Sequence, residues 1–427
     1  MPNPSTSQSK LLYLLIPALA LGTAWAVRGQ FGHEQGAAWA GSIAALAIIV
    51  LAQRKDWNQK FLSIAFAAAV GWGLGGMMSY GLVVGYGQGV DFVNVYYGFV
   101  MLLVIGGLYG FLGGGLFGLA LMDGDKYTVN WLEVMAYLVA GGTVAYFFLI
   151  MQWEILMTPP RSELWAACLG MALTLSWYLY KKGLKPVLRL ALITSLGAGF
   201  GFAFGNFLQV LGKASGLGFN FWNVMEYSLG FFGGLGMAYG TFTMNWETSN
   251  PFKKGRQTQK IPALFLWGII PFIIWLASFN MERLEGIYTK LSLENYAGGV
   301  QIAAIILMAL YALFLWRMVF FQNPDKPDFE SIKPYFYGHF AFYIFLSLLI
   351  TGAFFSVYRP EQYLYLVNFG VIFLLVQRMK PANFPFSDNI RYWGRMWIAI
   401  LLILAVLAFI AIQTHESFEG MRIRFEL

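Results

Sequence analysis

Charge is scarce in this sequence. Only 11% of its 427 residues are Asp, Glu, Lys or Arg, against about 25% in an ordinary soluble domain. Apolar residues fill 58% of the positions, so water is not the main solvent for this surface. Cysteine is almost absent: Cys168 stands alone inside an apolar run. A disulfide or a multi-cysteine metal site within one chain is therefore excluded. Histidine occurs three times, as His33, His339 and His415 on distant segments. His33-Glu34 opens the zinc-protease pattern, but position 37 is Ala where the second His is required. No zinc triad can be assembled, and no metal is assigned. A Walker A loop is missing, and Gly212-Lys-Ala-Ser215-Gly216 is not the Gly-x-Ser-x-Gly elbow. ATP hydrolysis and serine-hydrolase chemistry lack their motifs, and no cofactor is expected.

Long apolar runs are what the chain does have. Hydropathy marks thirteen spans, near 11–27, 37–53, 61–86, 94–121, 131–152, 163–180, 187–212, 222–244, 263–279, 299–321, 335–356, 361–377 and 393–413. Each is long enough to cross about 30 Å of hydrocarbon as a helix. The expected fold is an all-α polytopic integral membrane protein, with membrane lipid as its first partner. A net charge of +7 does not point to nucleic acid, because the basic residues lie in short loops between spans. With the N-terminus cytoplasmic, the inner segments collect 20 of the 28 Lys and Arg residues, including Lys181, Lys182, Lys253, Lys254, Arg256, Lys326 and Arg391. Such asymmetry is what positive-inside insertion produces. An odd span count then puts the C-terminus outside, and a cell inner (plasma) membrane is the expected location. The first span, with Lys10 before it and Ala24-Trp25-Ala26 after it, resembles a signal peptide. Its recurrence later in the chain argues for a retained helix instead.

That recurrence organises the sequence. Trp39-Ala40 returns as Trp165-Ala166, Arg54-Lys55 as Lys181-Lys182, Gly71-Trp-Gly73 as Gly199-Phe-Gly201, and Phe92-Val-Asn94-Val95 as Phe221-Trp-Asn223-Val224. The offset drifts only from 126 to 129. We read residues 1–126 and 127–260 as a tandem repeat of a four-helix unit, and 261–427 as a C-terminal five-helix segment. An even number of spans gives both units one orientation, so the repeats are parallel. Of the 48 glycines, 38 precede residue 245. Small residues let helices approach in lipid, so the third and fourth spans of both units should form the tight centre. The glycine-poor remainder should be a lipid-facing flank, or the contact of a homo-oligomer.

Polar residues inside or beside the spans are the candidate site. Arg28, His33 and Glu34 fill the short outer turn of the first hairpin, and Glu154 and Arg161 stand in its counterpart. The expectation is a gate or binding rim, pairing Arg28 with Glu34 and Glu154 with Arg161. Glu226 lies about one turn inside the eighth span, where the first unit has Tyr97. A carboxyl there needs a wet cavity or a partner, and proton coupling is its expected role. Asn94 and Asn223 match between units, and Asn206 and Gln209 add polarity on the same side. Together these predict a secondary transporter or permease for a small-molecule polar solute, with its site between the units. The alternatives are a membrane-embedded enzyme acting on a lipid-linked or glycan substrate at the outer face, and a channel or scaffold subunit of a larger complex.

Overall fold

The computed structural model describes residues 4–248, 259–321, 332–380, 384–386, 393–417 and 419–425. Lys253, Lys254, Arg256, Lys326 and Arg391 of the expected inner segments lie outside them. The chain is 77% helical, with no strand among the described residues. Helices α1 (Pro4–Arg28), α2 (His33–Ala52), a short α3 (Lys55–Asn58), α4 (Phe61–Gly75), a short α5 (Gly81–Tyr86) and α6 (Phe92–Met122) come first. They are followed by α7 (Trp131–Tyr146), α8 (Trp165–Lys181), α9 (Lys185–Ala214) and α10 (Phe221–Phe242). The last third holds α11 (Lys260–Leu264), α12 (Ile270–Ser278), α13 (Met281–Thr289), α14 (Ala297–Phe320), α15 (Lys333–Thr351), α16 (Pro360–Arg378) and α17 (Trp393–Ala411).

Nine helices among the described residues are long and apolar enough to cross a bilayer: Lys10–Arg28, His33–Ala52, Phe92–Met122, Trp131–Gln152, Lys185–Ala214, Lys260–Ser278, Glu294–Phe320, Lys333–Thr351 and Gly394–Ala411. Helices satisfy every backbone group internally, which hydrocarbon demands. The chain is a helical membrane protein. Four further segments expected to span are also helical, as α4, α8, α10 and α16. One expectation is corrected: 61–86 is not a single helix. The chain breaks between Gly75 and Gly81, because Gly76 leaves the helix against the next layer, where a Cβ would fall 2.5 Å from the His33 carbonyl.

Enclosure is greatest at α2, in which every residue from Gly36 to Ala52 is buried. A helix apolar all round belongs inside a bundle. It packs chiefly against α4 and α1, and the most extensive seams beyond it join α9 to both α6 and α10, and α10 to α1. Their seams are backbone to backbone. A Cβ on Gly110 would sit 2.3 Å from the Thr194 carbonyl, and one on Gly106 2.5 Å from that of Ala198. The two leading hairpins, α1–α2 and α7–α8, differ in setting. The first is central, whereas α7 presents Leu132 and Val139 outward, and α8 touches α9 far less than α2 touches α4. Helices α14 and α17 likewise turn Ile302, Leu310, Leu402 and Val406 outward, as lipid-facing helices do.

The seam makes a direct prediction. Gly110→Ala should lower stability in detergent by about 1 to 3 kcal/mol, the usual overpacking penalty. Gly286→Ala, where nothing lies within 4 Å, should be neutral or gain up to about 1 kcal/mol. Equal thermal shifts for the two variants would contradict the close α6–α9 packing.

Candidate functional site

Arg28 closes α1, and its side chain is 1% exposed. Gly32, at φ +90°, turns the chain so that α2 can begin at His33. Gly36 then lets the first turn of α2 lie directly on Arg28; a Cβ there would be 2.7 Å from both the Arg28 Cγ and its carbonyl oxygen. The glycines of the string Arg28 to Gly36 thus fold the backbone around one guanidinium.

That guanidinium is paired from the far side of the bundle. Arg28 Nη2 donates to Glu226 Oε2 on α10 at 2.7 Å and to the Tyr80 hydroxyl at 2.7 Å. Tyr80 in turn donates to Glu226 Oε1 at 2.7 Å, closing a three-membered ring of hydrogen bonds. Glu226 and Tyr80 are 2% and 3% exposed, so this is a fully buried ion pair. Arg28 Nη1 donates to His33 Nδ1 at 3.2 Å; the accepting nitrogen carries no proton, so the ring proton belongs on Nε2. His33 itself is exposed and forms the mouth of the site.

The helix break delivers Tyr80, which caps α5. Sequence reasoning missed it; the signal was the run Gly71, Gly73, Gly75, Gly76, read as packing alone. Aromatic rings complete the floor. The Arg28 guanidinium lies 4.9 Å from the Trp25 ring centre, which meets Trp72 at 5.0 Å and Tyr109 at 5.1 Å. Arg28 Nε, Trp25 Nε1, Trp72 Nε1 and the Tyr109 hydroxyl are buried without a hydrogen-bond partner among the described residues. An unpaired buried donor costs about 1 to 3 kcal/mol.

The other expected site residues separate into distinct places. Glu34 is exposed, and Arg28 pairs with Glu226 instead. Glu154 and Arg161 are both exposed, and among the described residues they share no ion pair with each other or with His33 or Glu34. The reason is local: Glu163, between α7 and α8, is the carboxylate turned inward there, accepting from Met157 N, Thr158 N and Trp165 Nε1. Asn206 and Gln209 join a second buried network, with Asn206 Nδ2 and Gln88 Nε2 both donating to Gln209 Oε1 and Lys213 Nζ donating to Gln88 Oε1. Asn94 and Asn223, each in a Phe-x-Asn-Val string, both hold C-terminal elements. Asn94 Oδ1 accepts from Arg424 N at 2.6 Å and Phe425 N at 3.0 Å, while Asn223 Nδ2 donates to the Tyr365 hydroxyl at 2.7 Å. The tail is thereby laid across α5 and the start of α6, with Arg422 N donating to the Gly85 carbonyl.

Comparison with family models, curated proteins and solved structures finds no match to this chain.

Removing one partner of a buried ion pair strands the other charge, at about 3 to 5 kcal/mol. Arg28→Gln and Glu226→Gln should each destabilise by that amount in detergent unfolding. The double variant Arg28→Met with Glu226→Leu should lose much less than the sum of the two. Additive losses would show that the two side chains do not interact.

Proposed function

We propose that the chain is a secondary transporter or permease for a small polar solute, with Arg28 and Glu226 as its gating and coupling pair. The observation that carries this reading is the buried ion pair joining α1 to α10, one helix from each repeat unit. A buried salt bridge is weak evidence of a need for stability, since well-packed apolar residues do as well or better. An ionisable pair inside a membrane protein is by default functional. Support comes also from the break between α4 and α5, which ends at Tyr80. Interrupted helices are a recurring device at transporter sites.

In this reading thirteen helices cross the membrane, the N-terminus is cytoplasmic, the C-terminus is outside, and His33 faces the outer water. The two four-helix units are parallel repeats that rock against each other. A solute bearing acceptor atoms engages the guanidinium and the unpaired donors of Trp25, Trp72 and Tyr109. Glu226, released from Arg28, takes up a proton by way of the Tyr80 hydroxyl and becomes neutral. Without its charge it no longer holds α10 to α1. The tight α6–α9–α10 seam closes the route inward in the conformation described. A second reading, an enzyme acting at the outer face, is favoured by one observation: Arg28 with His33, the Gln88 network and Asn94 with the tail all gather at one end of the bundle.

A thermal-shift screen of the purified protein against sugars, amino acids, organic acids, nucleosides and inorganic ions selects the solute. A ligand at 100 times its Kd adds about 2.7 kcal/mol of stability. In proteoliposomes, an inward proton gradient should then drive uptake. Glu226→Gln should abolish accumulation driven by that gradient while retaining solute exchange, and Arg28→Ala should abolish both. Turnover of a lipid-linked or glycan substrate, with no solute either stabilising or entering, would replace transport by the enzyme reading.

A further inference from the structure

The acceptors around Arg28 are engaged, and several donors are not. Glu226 Oε2 accepts from Arg28 Nη2, Glu226 Oε1 from Tyr80, the Tyr80 oxygen from Arg28 Nη2, and His33 Nδ1 from Arg28 Nη1. Arg28 Nε, Trp25 Nε1, Trp72 Nε1 and the Tyr109 hydroxyl have no partner among the described residues. All but the hydroxyl are groups that can only donate. The ion pair is also one-pronged. A guanidinium fork matches both oxygens of a carboxylate, yet Glu226 gives Arg28 one oxygen, turns the other to Tyr80, and leaves Arg28 Nε unpaired.

Charge then sets the valence of what can replace Glu226. The pair is neutral as a unit and its side chains are 1% and 2% exposed. The other titratable groups acting on it are His33 and Glu34 on α2, Tyr80 before α5, Tyr109 on α6, Tyr343 on α15 and Tyr365 on α16. His33 and Glu34 are exposed, and the tyrosines bring no second cation. A neutral or cationic solute offers Arg28 no charge in place of Glu226, and a dianion leaves one buried charge uncompensated, which is costly. A monoanion keeps the balance when Glu226 takes a proton on leaving Arg28.

We infer that the seat on Arg28, filled by Glu226 in the conformation described, takes the carboxylate of a small monocarboxylic acid, and that one proton binds Glu226 with each anion. The Arg28–Glu226 contact opens, the incoming carboxylate takes Arg28 Nη2 and Nε, and a proton from water joins a Glu226 oxygen, so the buried charge stays at zero. The assignment rests on the transport reading for its site, and it makes the transport electroneutral.

The test is isothermal titration of the full-length protein in nanodiscs with acetate, propionate, lactate, pyruvate and benzoate. Running it in two buffers of unlike ionisation enthalpy counts the protons bound with each anion. At least one of these anions should bind saturably at one per chain with uptake of about one proton, and its Kd should rise about tenfold per pH unit, by proton linkage. Propionamide and succinate should bind at least about tenfold more weakly, the loss of a hydrogen-bonded charge. Glu226→Gln, which removes the internal competitor, should bind the same anion without proton uptake or pH slope, and more tightly than wild type at alkaline pH. His33→Gln should keep the slope. Should Glu226→Gln fail to fold, the wild-type proton count alone decides. Binding without proton uptake, equal binding of propionamide, tighter binding of succinate, or no binding of any of these anions would each overturn the assignment. Anion binding with its proton, but no gradient-driven uptake in proteoliposomes, would uphold the seat and refute transport; gradient-driven uptake of a neutral or cationic solute alone would do the reverse.

Discussion

The structure is arranged around a guanidinium that has no water to solvate it. Arg28 sits at the end of an apolar helix and is almost completely enclosed. A lone charge moved into such a medium carries a penalty of several kcal/mol even after relaxation, so every neighbouring element is bound to supply compensation. Glu226 supplies the opposite charge across the bundle, and Tyr80 bridges the two at 2.7 Å. Trp25 offers its ring face, which attracts a cation by its quadrupole. Gly36 is required in this setting because a side chain there would collide with Arg28, and Gly32 because its φ of +90° turns the chain into α2. The interruption after α4, where Gly76 comes close to the His33 backbone, leaves Tyr80 within hydrogen-bond distance of Arg28.

Much of the architecture could be read from composition and periodicity, because hydrocarbon imposes length and polarity on each helix separately. The polar string Arg28 to Gly36 and the carboxyl at Glu226 stood out for the same reason: each violates the apolar rule. Their mutual contact did not stand out. Residues 28 and 226 are joined only by the packing of α1 on α10, and nothing local in either segment encodes that neighbour. Pseudo-symmetry suggested instead that Arg28 meets Glu34, and that Glu154 meets Arg161. Both pairs are close in sequence, but Arg28 turns inward while Glu34 stays exposed, and Glu154 and Arg161 sit at a solvent-exposed turn, where an ion pair gains at most about 1 kcal/mol. Tyr80 was hidden for a different reason. In a glycine-rich helix a packing glycine and a helix-ending glycine look identical until the facing surface is known.

Helix α2 links the two flanks of the molecule. Its first turn lies on Arg28 and carries Gly36, whose carbonyl accepts from the Tyr343 hydroxyl of α15. One turn further on, Trp39 stacks on His339, and Ser42 hydrogen-bonds the same ring. With Gly36 to Ala52 wholly buried, α2 has no face on which to absorb a displacement. A close-packed interior transmits strain, since it deforms poorly. Any movement of α2 that accompanies opening of the Arg28 pair is therefore felt at α15.

The choice of a charged pair buried between the ends of α1 and α10 is itself informative. If the only requirement were to fasten α1 to α10, the glycine seam already does so: Gly230 and Gly234 of α10 bring its backbone onto the Leu21 and Pro17 carbonyls of α1. Apolar side chains at positions 28 and 226 would extend that seam without a desolvation penalty. An ion pair adds something that packing cannot, namely an attraction that can be switched off by one proton or exchanged for another anion. The unpaired donors beneath it have the same character, being unfavourable as they stand and satisfied only by an added acceptor. Both features cost stability in the conformation described. That cost is what motivates the gating role proposed for the pair.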